Sequence, residues 1–265
     1  MCRHLAYLGP PRSLEALVLS PPHALLRQSY APRDMRGGGT MNADGYGIAW
    51  YPEDGTEPVR HRRDCAMWTD DGLPGLAGHT RSGAVLAAVR SATVGMPVVE
   101  TAVAPFTDGH WTFSHNGVLP GWPDSAETLA AALPVRDLMT LEAPTDSALL
   151  WALARHRLAA GGDPVEVVAG LVREAAATHP GARLNLLLFD GEQIVATAWY
   201  HALSVLAGDD YVAVASEPWD DDAGWRAVPD HHLVVARLTA DGPQVDTRQL
   251  DEKAAASTLS RNGAR

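Results

Sequence analysis

Two blocks of strand-like segments enclose a block of helical ones, and this order constrains the chain more than any other feature. Short runs rich in Val, Ala, Leu and aromatic residues occupy 47–51, 85–89, 111–114, 184–189, 194–199, 211–215 and 233–238, most of them bounded by Gly, Asp or Pro. Several are apolar throughout rather than alternating, which calls for sheets covered on both faces. Helical periodicity lies elsewhere. It is brief over 13–19, Ala/Leu-rich over 126–133, and sustained over 147–158 and 165–178, with Thr145, Asp146 and Ser147 as start signals for the third stretch. Strands first, helices in the middle and strands again predict an α+β protein with two packed sheets and helices outside them. With 265 residues and no repeat or linker, a single domain is expected over residues 2–250, followed by a polar, Ala/Ser-rich tail over 251–265.

The charge balance narrows the choice of partner. A formal net charge of −11 repels nucleic acid backbones and anionic membranes. The short basic cluster Arg60-His61-Arg62-Arg63 is followed at once by Asp64 and reads as a solvated strand or loop. No run of about 18 apolar residues marks a membrane span, and the N-terminal segment lacks the apolar core of a secretory signal. The two cysteines, Cys2 and Cys65, are too few for a disulfide framework and suit a reducing cytoplasm. Eleven histidines are scattered without a His-Glu-x-x-His pattern, so no metal or other cofactor is expected. The expected partner is a small molecule, and nothing in the pattern sets an oligomeric state.

Cys2 is the candidate nucleophile. Removal of Met1 before so small a residue leaves a free α-amino group beside the thiol. That amine has an ordinary pKa of roughly 7.7–8.0, so near neutral pH part of it is uncharged and can take the thiol proton. Other residues have both plain and functional readings. Asn116-Gly117, after an apolar-aromatic run, is a tight-hairpin signal, but it can also present an amide and a backbone N–H to one oxyanion. Arg90, at the end of an apolar run, is either a surface charge or a fork for a carboxylate. Asp146 is either a helix N-cap or the acceptor for an ammonium group. Trp219, Asp220 and Trp225 are either an acidic loop with two packed tryptophans or a wall for a cationic group.

The order of the short motifs goes further than any one of them. Met1-Cys2, Asn42-Ala43-Asp44-Gly45-Tyr46-Gly47, Val89-Arg90-Ser91-Ala92-Thr93, Ala104-Pro105-Phe106, Ser114-His115-Asn116-Gly117 and Thr145-Asp146-Ser147 resemble the motif series of class II glutamine amidotransferase domains. The resemblance implies the four-layer αββα sandwich of N-terminal nucleophile hydrolases, with two mainly antiparallel sheets. It also implies roles. Cys2 attacks a γ-glutamyl carbonyl, Asn116 and Gly117 form the oxyanion hole, and Arg90, Thr93 and Asp146 hold the glutamyl head group. Arg3-His4 stand where a Gly-hydrophobic pair is common in the family, and Val94 where a histidine often follows the threonine.

Further segments, 2–9, 28–33, 88–97 and 215–222, are similar to the γ-glutamyl hercynylcysteine sulfoxide amidohydrolases of ergothioneine biosynthesis. That resemblance implies hydrolysis of the γ-glutamyl amide to glutamate and hercynylcysteine sulfoxide through a Cys2 thioester. Trp219, Asp220 and Trp225 would then face the trimethylammonium-bearing leaving amine. The family's synthases append an ammonia-consuming domain, which is not expected here. Two alternatives stand beside this reading: a glutaminase subunit that feeds ammonia to a separate synthase, and a catalytically silent binding protein.

Overall fold

The computed structural model describes residues 2–36, 39 and 41–250, and the polar tail over 251–265 lies outside the described residues. In chain order the strands are β1 (Arg3–Ser13), β2 (Tyr46–Trp50), β3 (Val59–Arg63), β4 (Arg81–Val89), β5 (Phe106–Asp108), β6 (Trp111–Val118) and β7 (Arg183–Phe189). They continue with β8 (Gln193–Ala198), β9 (Ser204–Ala207), β10 (Val212–Ala215), β11 (Arg226–Ala227), β12 (His232–Thr239) and β13 (Gly242–Gln249). The helices are α1 (Leu14–Val18), α2 (Leu25–Gln28), α3 (Leu73–His79), α4 (Glu127–Ala130), α5 (Val135–Met139), α6 (Asp146–Ala159) and α7 (Pro164–Thr178).

The strands pair antiparallel into a seven-stranded sheet, β11-β9-β10-β1-β4-β2-β3, and a six-stranded sheet, β13-β12-β8-β7-β6-β5. Side-chain alternation in β1 accounts for the layering. Ala6 and Leu8 point inward and meet Leu187, Phe189, Ile194 and Val234 of the second sheet. Leu5 and Tyr7 point outward onto Leu14, Leu17 and Leu25 of the first helical layer. On the far side, α6 and α7 cover the second sheet, where Phe113 stacks on Trp151 with ring centroids 5.5 Å apart. The result is the α–β–β–α sandwich, and both sheets are covered on both faces, as their unbroken apolar runs require.

Two local readings differ from expectation. Asn116-Gly117 does not turn the chain, because β6 runs straight through it, paired with Asn185 and Leu184 of β7. Gly117 answers to crowding instead: a Cβ there would lie 1.8 Å from the Arg183 carbonyl oxygen. At the start of α6 the cap is Thr145, whose hydroxyl accepts from the Ala148 N–H at 3.2 Å. Asp146 is the first helical residue, and its carboxylate accepts from the Ser147 and Leu119 N–H groups.

Candidate active site

The position of Cys2 is set by β1. This strand lies inside its sheet, with Arg3 opposite Val89 of β4 and Leu5 opposite Ala215 of β10. Cys2 therefore sits at the sheet end, level with Arg90. It is half-buried, and its Sγ donates to the Ser91 carbonyl at 3.7 Å. A cavity of about 20 Å³, enough for a single water, adjoins Cys2, Arg90, Ser114 and His115.

Strand β6 delivers side chains to both of its faces. Ser114 and Asn116 point between the sheets, while Phe113 and His115 point to α6. His115 Nε2 donates to the Arg183 carbonyl at 2.9 Å, so its Nδ1 is the acceptor for the Ser147 hydroxyl at 3.0 Å. Between the sheets, the Asn116 amide reaches the Ser216 hydroxyl at 3.4 Å. Ser216 in turn is bound to both backbone groups of His4: its N–H donates to the His4 carbonyl at 2.9 Å, and its Oγ accepts from the His4 N–H at 3.0 Å. Strand β1 and Asn116 are thus joined through one hydroxyl.

His4 is fully buried, with Nδ1 3.1 Å from the Ser114 hydroxyl. Burial first, then the nearby His115, His201 and Arg3, lowers its pKa from 6.5 to about 3. Burial, followed by Arg183 and Arg3, does the same to His201, also to about 3. Both rings are neutral near pH 7.

One flank carries charges without counter-charges. Arg90 is 8% exposed, and its guanidinium donates to the Pro97 carbonyl at 2.9 Å. Asp146 is 3% exposed and accepts from the Leu119 N–H at 2.9 Å and the Ser147 N–H at 2.7 Å. Among the described residues neither forms an ion pair. Pro97 and Leu119 line one cavity of about 580 Å³, together with Thr93, Met96, Trp122 and Arg183. The hydrogen-bond partners of Arg90 and Asp146 therefore border a shared space. The loop that carries Thr93 is fixed at its start, where the Ala92 N–H donates to the Asp44 carboxylate at 2.7 Å.

The opposite flank is different. Arg3, almost wholly buried, donates through Nε to Glu217 at 2.9 Å, through Nη1 to the Cys2 carbonyl at 3.1 Å and through Nη2 to the Asp34 carbonyl. The other Glu217 oxygen accepts from the Arg33 N–H at 2.8 Å. A second cavity, about 530 Å³, lies here between Asp34, Met35, Leu203, Ser216, Glu217 and Val228.

Trp219, Asp220 and Trp225 come together, but with each other. Trp219 is 3% exposed in the outer core, its ring lies edge-on to Trp225 at 5.1 Å, and the Trp225 indole N–H donates to Asp220 at 2.8 Å. None of the three lines the cavities beside Cys2, Thr93 or Ser216. Trp219 and Trp225 are thus packed on one another, whereas the cavity beyond Ser216 is lined by Asp34, Met35 and the 202–204 and 216–218 segments. Reading the sequence also gave no role to Arg3, His4, Ser216 or Glu217, although Arg3-His4 departs from the family pattern. Among the described residues no three His, Cys, Asp or Glu side chains gather as a metal site, and no helix is long and apolar enough to cross a membrane.

Comparisons with known proteins agree on one kinship. Residues 24–208 match the family model described as glutamine amidotransferases class-II. A γ-glutamyl-hercynylcysteine sulfoxide hydrolase of Mycolicibacterium smegmatis is 44% identical over 237 residues, covering 89% of this chain and 96% of that protein. Its Mycobacterium tuberculosis counterpart is 45% identical, covering 88% and 92%. In fold, the chain is similar to a glutamine aminotransferase class-II domain protein from Silicibacter pomeroyi, with a TM-score of 0.65, 24% identity and coverage of 94% and 100%.

Proposed function

Because this chain belongs to the class II glutamine amidotransferase family, we propose that it is an amidohydrolase that cleaves the γ-glutamyl amide of hercynylcysteine sulfoxide, releasing glutamate, in ergothioneine biosynthesis. The observation that carries the glutamyl half is the pair of buried charges, Arg90 and Asp146, that form no ion pair among the described residues and whose hydrogen-bond partners Pro97 and Leu119 border one cavity. A desolvated guanidinium and carboxylate without counter-charges among the described residues are costly, and the α-carboxylate and α-ammonium of a glutamyl group neutralise both. The leaving half rests on relatives that carry this activity in their names at 44–45% identity.

The chemistry follows from the residues that surround Cys2. With Met1 removed, the neutral α-amine of Cys2 takes the Sγ proton, and the thiolate attacks the γ-carbonyl carbon. The carbonyl oxygen becomes an oxyanion held by the Asn116 amide and the Gly117 N–H. The tetrahedral adduct collapses, the C–N bond breaks, and the Cys2 ammonium gives its proton to the leaving nitrogen. Water then adds to the thioester, with the same amine accepting its proton. Breaking the C–S bond frees glutamate, and the thiol recovers its proton. The half-buried thiol and the water-sized cavity beside it suit this sequence.

The leaving amine is assigned to the cavity beyond Ser216, where 530 Å³ is ample for a group of this size. The test is a comparison of rates on the γ-glutamyl amide of a bulky betaine amine and on free glutamine. Preference for the bulky amide is expected; rapid glutamine turnover with inertness to the amide would instead identify an ammonia-supplying glutaminase.

A further inference from the structure

The hydrogen bonds around Asn116 leave two buried groups unsatisfied, and one rearrangement satisfies both. Asn116 is 1% exposed, and its Oδ1 has no partner among the described residues. Its other end lies 3.4 Å from Ser216 Oγ. That hydroxyl already accepts from the His4 N–H at 3.0 Å. If the Asn116 NH2 also donates to Ser216, the hydroxyl proton has no acceptor and Oδ1 stays bare. A buried polar group without a partner weakens the fold.

The two ends of a primary amide have nearly the same shape, so hydrogen-bond accounting decides which one faces Ser216. Turned by half a revolution, Oδ1 accepts the Ser216 proton and both unsatisfied groups are resolved. The NH2 then occupies the place of the bare oxygen, as a buried donor without a protein acceptor. Such a donor is the preorganised state that an oxyanion hole needs before substrate arrives.

We propose that Ser216 is a positioning residue: its hydroxyl, held in place by both backbone groups of His4, donates to Asn116 Oδ1 and thereby aims the Asn116 NH2 at the reacting carbonyl oxygen. The proposal rests on the reading of Asn116 as an oxyanion donor. It gives β10 a catalytic consequence, because Ser216 follows that strand directly and forms the joint between β1, which carries Cys2, and β6, which carries Asn116. The segment around Ser216 also borders the leaving-group cavity, so one residue fixes the donor and bounds the space next to it.

A double-mutant cycle tests this on the full-length enzyme with a γ-glutamyl amide substrate. Asn116→Ala should lower kcat by roughly 10²- to 10³-fold. Ser216→Ala should lower kcat by roughly tenfold, the loss of one orienting hydrogen bond, with KM held within about twofold. In the Asn116→Ala background, Ser216→Ala should then cost almost nothing, because its effect passes through the missing amide. A tenfold cost that persists in that background, or a Ser216→Ala enzyme with normal kcat, overturns the positioning role. A near-normal kcat for Asn116→Ala overturns the oxyanion reading itself, a separate outcome. If Ser216→Ala proves unfolded by circular dichroism, Ser216→Cys, which keeps a weaker donor and acceptor, replaces it and should show a smaller loss with the same dependence on Asn116.

Discussion

On the flank of Cys2 proposed to hold the glutamyl head group, Arg90 and Asp146 are buried charges that form no ion pair among the described residues. On the opposite flank, Arg3 faces Glu217, Arg36 faces Asp34, and Arg33 faces Asp221. Two ways of building a binding surface meet at one thiol. The first leaves charge uncompensated so that only a ligand with complementary charges is held well. The second spends its charges on one another and so fixes the shape of a cavity rather than its charge preference. The glutamyl flank should therefore demand the same head group from every substrate, whereas the other flank should discriminate by size and fit.

The largest expected effect concerns the shape-holding flank. Arg3→Met leaves Glu217 buried and unpaired and should destabilise the fold by about 3–5 kcal/mol. The double variant with Glu217→Met should recover most of that in denaturant unfolding. If Arg3→Met is neutral, the pair does not hold the wall and the contrast fails. Next comes Arg90→Met, which removes one half of the proposed head-group clamp. It should lower kcat/KM by about 2–5 kcal/mol, or roughly 30- to 4000-fold. The loss should be equal for free glutamine and for a bulky γ-glutamyl amide, since both present the same head. Unequal losses would mean that Arg90 also reads the leaving group.

A smaller effect is expected at the exposed rim. Arg36→Ala breaks a half-exposed pair with Asp34 and should change KM for the bulky amide by roughly two- to fivefold, leaving glutamine unaffected. The smallest effect at neutral pH comes from the buried rings between the flanks. The unfolded chain protonates its histidines near 6.5, while folded His4 and His201 resist protonation down to about 3. Their contribution is thus complete above pH 6.5 and is lost as pH falls from there toward 3. Stability measured by denaturant titration should decline across that window, with a shallower slope in His201→Asn. An unchanged slope would show that the ring is protonated while folded.

How much of this was legible in the sequence follows the same division. The glutamyl flank is made of local motifs: Arg90 and Thr93 lie within four residues of each other, and Asp146 opens a helix whose periodicity is plain. The flank proposed for the leaving group draws on segments near positions 34, 203, 217 and 228; pairing of β9, β10 and β11 brings the last three together, and contacts with Arg3 and Glu217 hold the first. No local pattern announces such a surface. The tryptophans at 219 and 225 are the visible feature of this region in the sequence, and in the fold they pack against each other. Strand β1 escaped notice for a different reason. It begins with Arg3-His4 and passes through Gly9-Pro10-Pro11, where its register against β4 shifts between Leu8 and Arg12, so it lacks an unbroken apolar run. Asn116-Gly117 misled in the opposite sense. It is a turn signal whose glycine is needed for close approach to Arg183 rather than for a reversal of the chain.

Central to everything above is that Cys2, freed of Met1, is the acylated residue. Mass spectrometry of the enzyme after reaction with a glutamine-like diazoketone tests this directly, and Cys65, also half-buried, serves as the internal control. The expected result is an N-terminal peptide that begins at Cys2 and carries the whole label, with Cys65 unmodified. A retained Met1, or label on Cys65 and none on Cys2, would contradict the account.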